Sequence, residues 1–76
     1  MGHHSLEAAR QRLGLSDLEL WIDYFALGGN LASDQLGQYL RGTRTVSEFD
    51  HNLVIHALNE RFRDRGENGQ LAYSSA

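Results

Sequence analysis

Apolar residues recur at three- and four-residue intervals along most of this chain, which is the spacing of one face of an α-helix. Glycine and serine divide the pattern into four segments, and no stretch shows the sustained alternation that is typical of a strand. The pattern predicts helices over residues 6–13, 17–27, 34–41 and about 48–65. We therefore expect an all-α protein, a compact bundle of three to four short helices.

The second predicted helix carries its own start and stop signals. Ser16 and Glu19 have the spacing of a capping box, and Leu15 and Leu20 are placed to form a hydrophobic staple across it. The run Gly28-Gly29-Asn30 tolerates the left-handed conformation that ends many helices. The other helices have similar signals, which are N-capping serines at Ser33 and Ser47 and stop glycines at Gly14, Gly42 and Gly66.

Apolar residues cover more of the second helix than one neighbouring helix can bury. At 100° per residue, one arc holds Leu18, Trp21, Ile22 and Phe25, and a second arc holds Leu20, Tyr24 and Leu27. A central helix surrounded by the other three explains this pattern. Exposure of the second arc as a docking or dimer surface explains it too.

The fourth helix also has two apolar sides. Its main stripe is formed by Val54, Ile55, Leu58 and Phe62, and Phe49, Leu53 and Ala57 lie nearly opposite. We expect Trp21 and Phe25 of the second helix to anchor the core together with Leu58 and Phe62. The surplus apolar side chains predict a surface that binds a partner protein or a second copy of the chain, as a homodimer, through Leu20, Tyr24, Leu27, Phe49 and Leu53.

Length and composition set the organisation of the chain. Its 76 residues allow one domain with a small core, and the absence of cysteine excludes disulfides and thiolate metal sites. No apolar run is long enough to span a membrane, so a cytoplasmic protein is expected. Residues 1–5 resemble the remnant of an affinity tag, and residues 6–66 form the predicted helical domain. Residues 67–76 are predicted to be a flexible tail that is mobile or only loosely docked.

No spacing in the chain has the form of a catalytic, cofactor or metal motif. His51 and His56 lie about 140° apart on the helical wheel, so they do not share one ion, and His56 is placed to contact Glu60 on the surface. The serines are explained as helix caps, and Gly28 and Gly29 follow a helix instead of preceding one as in a phosphate loop. We expect no enzyme activity, no cofactor and no bound metal.

A degenerate helix-turn-helix regulator that contacts nucleic acid is the alternative function. Residues 33–65 supply two helices and several arginines, but the connection over residues 42–47 is longer than that motif uses. Glu48 and Asp50 place acid on the first turn that would face the bases, and residues 41–76 carry five arginines against five acidic residues. Protein partners are therefore favoured over nucleic acid.

Three strings resemble those of short helical proteins of actinobacteria whose function is uncharacterised. They are residues 20–29 (LWIDYFALGG), 38–42 (QYLRG) and 56–60 (HALNE), and the likeness extends over residues 16–62. This resemblance implies a helical domain and an actinobacterial source, and it carries over no functional residue. The sequence as a whole predicts a small cytoplasmic module for regulation or protein interaction.

Overall fold

A computed structural model describes residues 2–67 and residue 71, with side chains from residue 6 onward. The described residues form four helices, α1 (Gly2–Leu13), α2 (Asp17–Ala26), α3 (Ser33–Leu40) and α4 (Glu48–Asp64). Helices α1 and α2 each pack on both α3 and α4. This arrangement confirms the predicted all-α bundle.

The predicted helix caps are mostly confirmed. Ser16 Oγ accepts the Glu19 backbone N–H at 3.0 Å, while Glu19 Oε1 accepts the Ser16 N–H at 2.9 Å, so the capping box is complete. Ser47 Oγ accepts the Asp50 N–H at 3.1 Å and begins α4 in the same way. Helix α3 differs, because its N-cap is Ala32 and Ser33 is its first helical residue.

The core lies where the four helices pack together. Thirteen apolar residues are buried in one cluster, which includes the predicted α4 stripe. They are Leu6, Ala9, Leu15, Leu20, Tyr24, Leu36, Tyr39, Leu40, Val54, Ile55, Ala57, Leu58 and Phe62. Leu58 and Phe62 therefore anchor the core as expected.

Helix α2 buries a different face from the one that we predicted for the core. Leu20 and Tyr24, which we expected on a docking surface, are completely buried. Phe25, which we expected in the core, is 56% exposed, and Trp21 is only partly buried against the cluster. The prediction was thus wrong for Leu20, Tyr24 and Phe25.

Polar contacts on both sides of the buried face explain this orientation. Asp17 forms an ion pair at 3.1 Å with Arg41, the C-cap residue of α3. Asp23 accepts hydrogen bonds from Nε and Nη2 of Arg61 on α4, at 2.7 and 3.2 Å. The Leu20 and Tyr24 side of α2 lies between these carboxylates and is therefore held against α3 and α4. Bidentate pairing of this kind also raises the pKa of Arg61, because Asp23 stabilises its charged form.

The structure describes both ends of the domain in part. Helix α1 begins at Gly2, four residues before the predicted start, so residues 2–5 belong to the helix. Their origin as a tag remnant stays a prediction. In the segment predicted to be a flexible tail, Glu67 forms an ion pair with Arg12 at 2.9 Å and Leu71 packs against the core. These two contacts agree with a docked tail, and the rest of that segment lies outside the described residues, so its flexibility stays a prediction.

Candidate functional site

The outer face of α2 carries a row of exposed apolar side chains that we call the outer stripe. Its members are Leu18, Ile22 and Phe25, which are 56%, 52% and 56% exposed. Their spacing of four and three residues places them on one side of the helix, so they form a continuous surface. Large apolar side chains that lie together in this way mark interaction sites more often than isolated ones do.

Trp21 supports this row from one side. Its indole Nε1 donates a hydrogen bond to the Leu31 carbonyl oxygen at 2.8 Å, which fixes the ring against the loop between α2 and α3. The Phe25 ring stacks on the Trp21 ring with centroids 5.1 Å apart and an interplanar angle of 26°. Because both rings are already ordered, a partner that covers them gives up little side-chain entropy.

Tyr24 fixes the same loop from inside the bundle. Its hydroxyl accepts the backbone N–H groups of Asn30 and Leu31 at 3.0 and 2.9 Å, and it donates to Asp50 Oδ1 at 2.6 Å. Burial and the hydrogen bond to Asp50 raise the pKa of Tyr24, so the phenol stays protonated and remains a donor. The loop that holds Trp21 is therefore tied to the start of α4.

A second apolar surface lies beside the C-terminal end of α2. This shallow groove, which we call the α4 groove, has a volume of about 390 Å³ and is lined by Leu27, Phe49, Asn52, Leu53 and His56. It brings together three of the five predicted partner-binding residues, Leu27, Phe49 and Leu53. Phe49 is 59% exposed, whereas the other two predicted residues, Leu20 and Tyr24, are in the core.

The width of the apolar arc alone does not predict the outer stripe, because both sides of α2 are apolar. The missing signal is the position of the acids, since Asp17 and Asp23 border the Leu20 and Tyr24 side of the wheel. The complementary charges are Arg41, the C-cap residue of α3, and Arg61, on the last turn of α4. Pairing these charges across the bundle would have turned the other arc outward.

Most of the arginines are engaged in ion pairs within the domain. Five of the seven form such pairs in the described part of the chain, and these are Arg10, Arg12, Arg41, Arg61 and Arg65. Arg44 donates to the Gln38 side chain at 2.9 Å. The predicted acidic start of α4 is present, with Glu48 exposed and Asp50 bound to Ser47 and Tyr24.

The two histidines of α4 occupy different environments. The Tyr39 hydroxyl is hydrogen-bonded to His51 Nδ1, and the two rings meet edge to face with centroids 6.1 Å apart. Burial raises the pKa of Tyr39 to about 12. His56 Nε2 lies 3.3 Å from Glu60 Oε2 on the surface, as the spacing predicted. Among the described residues, no three histidine or acidic side chains gather where they could hold a metal ion.

Comparisons with known proteins do not assign the chain to a family. No protein-family model matches the chain, and neither the curated proteins nor the solved structures give a significant match. The resemblance to short actinobacterial proteins therefore stays a prediction. Within the described residues, no helix is both long and apolar enough to cross a membrane.

Proposed function

We propose that this protein is a small, non-catalytic module that regulates or assembles other proteins by binding one of them through the outer stripe. The single observation that carries this proposal is the exposure of Leu18, Ile22 and Phe25 by more than half on one face of α2. A chain of 76 residues has little apolar material to spare. Placing three large apolar side chains outside the core lowers solubility, so a binding role accounts for them better than a structural one.

Charge indicates what kind of partner fits this surface. Glu19 is exposed beside the outer stripe, and its carboxylate accepts the Ser16 N–H of the capping box. A partner helix with a similar apolar row and a basic residue opposite Glu19 would bury the row and pair the charge. We propose such a basic amphipathic helix, carried by another protein, as the occupant.

A second copy of the chain fits the same surface less well. In a symmetric pair of antiparallel α2 helices, a given flank of one helix faces the same flank of its copy. Glu19 would then lie on the same side as the second Glu19, and each protomer carries a formal net charge of −3. Both features oppose self-association, although salt weakens this repulsion.

Site-specific photo-crosslinking tests the proposal. A photoreactive residue in place of Ile22, in the full chain expressed in its native cells, should give a covalent adduct whose crosslinked peptide is an amphipathic helix with a basic flank. The same residue in place of Gln11, which is exposed on α1, is the matched control. An adduct made mainly of two copies of this chain would replace the proposed partner by a homodimer. Equal labelling from both positions would contradict a role for the outer stripe.

A charge on the outer stripe should remove binding and leave the fold in place. Ile22→Glu puts a carboxylate on a surface that a partner must dehydrate, so we expect binding to a partner found by crosslinking to fall at least about a hundredfold. The thermal unfolding midpoint should change little, because an exposed substitution costs about 0.5 kcal/mol or less. Unchanged affinity, measured by titration with that partner, would place the interface elsewhere.

The helix-turn-helix alternative predicts a different result with nucleic acid. Ion pairing leaves few arginines ready to neutralise phosphates, and the charge on Glu48 opposes DNA at the start of α4. We expect a titration with duplex DNA at about 150 mM salt to show no binding tighter than roughly 10⁻⁴ to 10⁻⁶ M. Nanomolar binding that weakens steeply with salt would favour the alternative.

A cytoplasmic site of action is part of the proposal. The lack of cysteines gives no sign of an oxidising compartment.

A further inference from the structure

A small cleft lies between the end of α1 and the end of α4. It has a volume of about 170 Å³ and is lined by Leu13, Leu15, Arg61, Asp64 and Arg65. Leu13 ends α1 and Leu15 follows in the turn to α2, while the three charged residues lie on the last turn of α4 or at its C-cap. The cleft shares no residue with the outer stripe or with the α4 groove.

The two walls of this cleft differ in chemistry. On the wall from α1, Leu15 is only 5% exposed and Leu13 packs against the core cluster. On the wall from α4, the side chains of Arg61 and Arg65 are 41% and 47% exposed, and Asp64 is exposed as well. A cavity of about 150 Å³ can hold benzene, so the cleft has room for a small molecule with an apolar group on one side and charged groups on the other.

Arginines outnumber the carboxylates that bind them by one beside the cleft. Asp23 accepts two hydrogen bonds from Arg61, and Glu67 is shared by Arg12 at 2.9 Å and Arg65 at 3.7 Å. Arg65 Nη1 also donates to the Arg12 carbonyl oxygen at 3.1 Å, which holds the guanidinium of Arg65 over the end of α1. Three guanidinium groups thus meet two carboxylates among the described residues, and one positive charge is left over.

Asp64 supplies the opposite charge. Its carboxylate makes no hydrogen bond and no ion pair within the part of the chain that the structure describes. Asp64 is also the last residue of α4, where the helix dipole disfavours a negative charge. A cation bound beside Asp64 would offset this cost.

We propose that the cleft binds a free α-amino acid with a short aliphatic side chain, in its zwitterionic form. The carboxylate of the ligand faces Arg61 and Arg65, and its ammonium group faces Asp64. Its side chain packs on Leu13 and Leu15. An α-amino acid carries all three of these groups on one carbon atom, as so small a cleft requires. A simple carboxylate or a phosphate would bring a second negative charge close to Asp64 without supplying a cation for it.

The ligand would connect the end of α1 with the end of α4, and it would stabilise the folded domain by mass action. This inference does not depend on the outer stripe, because no residue of that surface contributes to the cleft. The two proposals therefore fail independently.

A titration of the full chain with L-valine, followed by NMR of its leucine methyl groups, tests this site. We expect saturable shifts at Leu13 and Leu15 with a Kd of about 1 mM or tighter. 3-Methylbutanoate lacks the ammonium group of valine and valinamide lacks its carboxylate, so each should bind about tenfold more weakly or worse. The proposal is overturned if valine gives no saturable shift at about ten times that concentration, or if either analogue binds as tightly as valine.

The Asp64→Asn variant separates recognition of the ammonium group from a general loss of the cleft. Its affinity for valine should fall about tenfold, whereas its affinity for 3-methylbutanoate should stay the same or rise, because a repulsive charge is removed. The matched control is Arg63→Gln, which changes an exposed charge on the same turn outside the cleft and should leave both affinities unchanged. An equal loss of valine binding in the two variants, or an equal loss for both ligands in Asp64→Asn, would contradict the proposed contact.

Discussion

The Tyr24→Glu variant is expected to be unfolded at room temperature. Tyr24 is completely buried at the contact of α2 with the rest of the bundle. A glutamate there either buries its charge close to Asp50 or takes up a proton, and both states also lose the packing of the ring. The expected loss is about 4 kcal/mol or more, which is comparable with the whole free energy of unfolding of so small a domain.

Circular dichroism and thermal unfolding measure this effect directly. The matched control is Ile22→Glu, which introduces the same charge two residues away on the exposed side of α2 and should keep the helical spectrum. A folded Tyr24→Glu variant that has lost the ability to bind a partner would restore Tyr24 to a docking surface. That outcome would contradict the buried position of this side chain.

The hydroxyl of Tyr24 should contribute separately from its ring. Tyr24→Phe keeps the ring but leaves the Asn30 and Leu31 N–H groups and the Asp50 carboxylate without this partner. We expect a loss of roughly 1 to 3 kcal/mol, because unsatisfied groups near the core cost more than the average hydrogen bond supplies. An unchanged midpoint in this variant would show that water replaces the hydroxyl in these contacts.

Local signals in the sequence predicted the helices well. Ser16 with Glu19, Ser47 with Asp50, and the glycines that follow each helix act within one or two turns, so the structure uses them where the sequence places them. Ala32 is an exception, because Gln35 Oε1 accepts its N–H at 2.9 Å and makes part of the cap without a serine. Boundaries set by local chemistry are therefore the most predictable part of this fold.

The orientation of α2 was not predictable from its apolar pattern alone. Both arcs of the helix are apolar enough to be buried, and the difference comes from partners far along the chain, such as Arg61 for Asp23. The docking of Leu71 was missed for a related reason. Asn59 lies within α4, and its two hydrogen bonds are with Leu71, a residue beyond the end of that helix, so helical periodicity does not indicate them.

The candidate surfaces were predictable only in part. Phe49 and Leu53 lie on the side of α4 opposite its buried stripe, and the structure leaves Phe49 exposed. Their grouping with Leu27 depends on how the C-terminal end of α2 meets α4, which no local signal specifies. Periodicity thus identified a surplus of apolar side chains, and long-range ion pairs decided which of them reach the surface.

Gly29→Ala is expected to destabilise the domain by about 3 kcal/mol, whereas Gly37→Ala should be close to neutral. A Cβ at Gly29 would overlap the ring of Tyr24, which cannot withdraw without losing the hydrogen bonds of its hydroxyl, so the loop itself must move. A Cβ at Gly37 would meet mainly the end of the Arg41 side chain, at 2.9 Å. That side chain is 55% exposed and can turn aside, which weakens its ion pair with Asp17 at a cost of about 1 kcal/mol or less. Helix propensity in the interior of α3 then favours alanine by up to about 1 kcal/mol. Thermal or urea unfolding of both variants gives the comparison, and equal stability of the two would mean that the loop over Tyr24 is not closely packed.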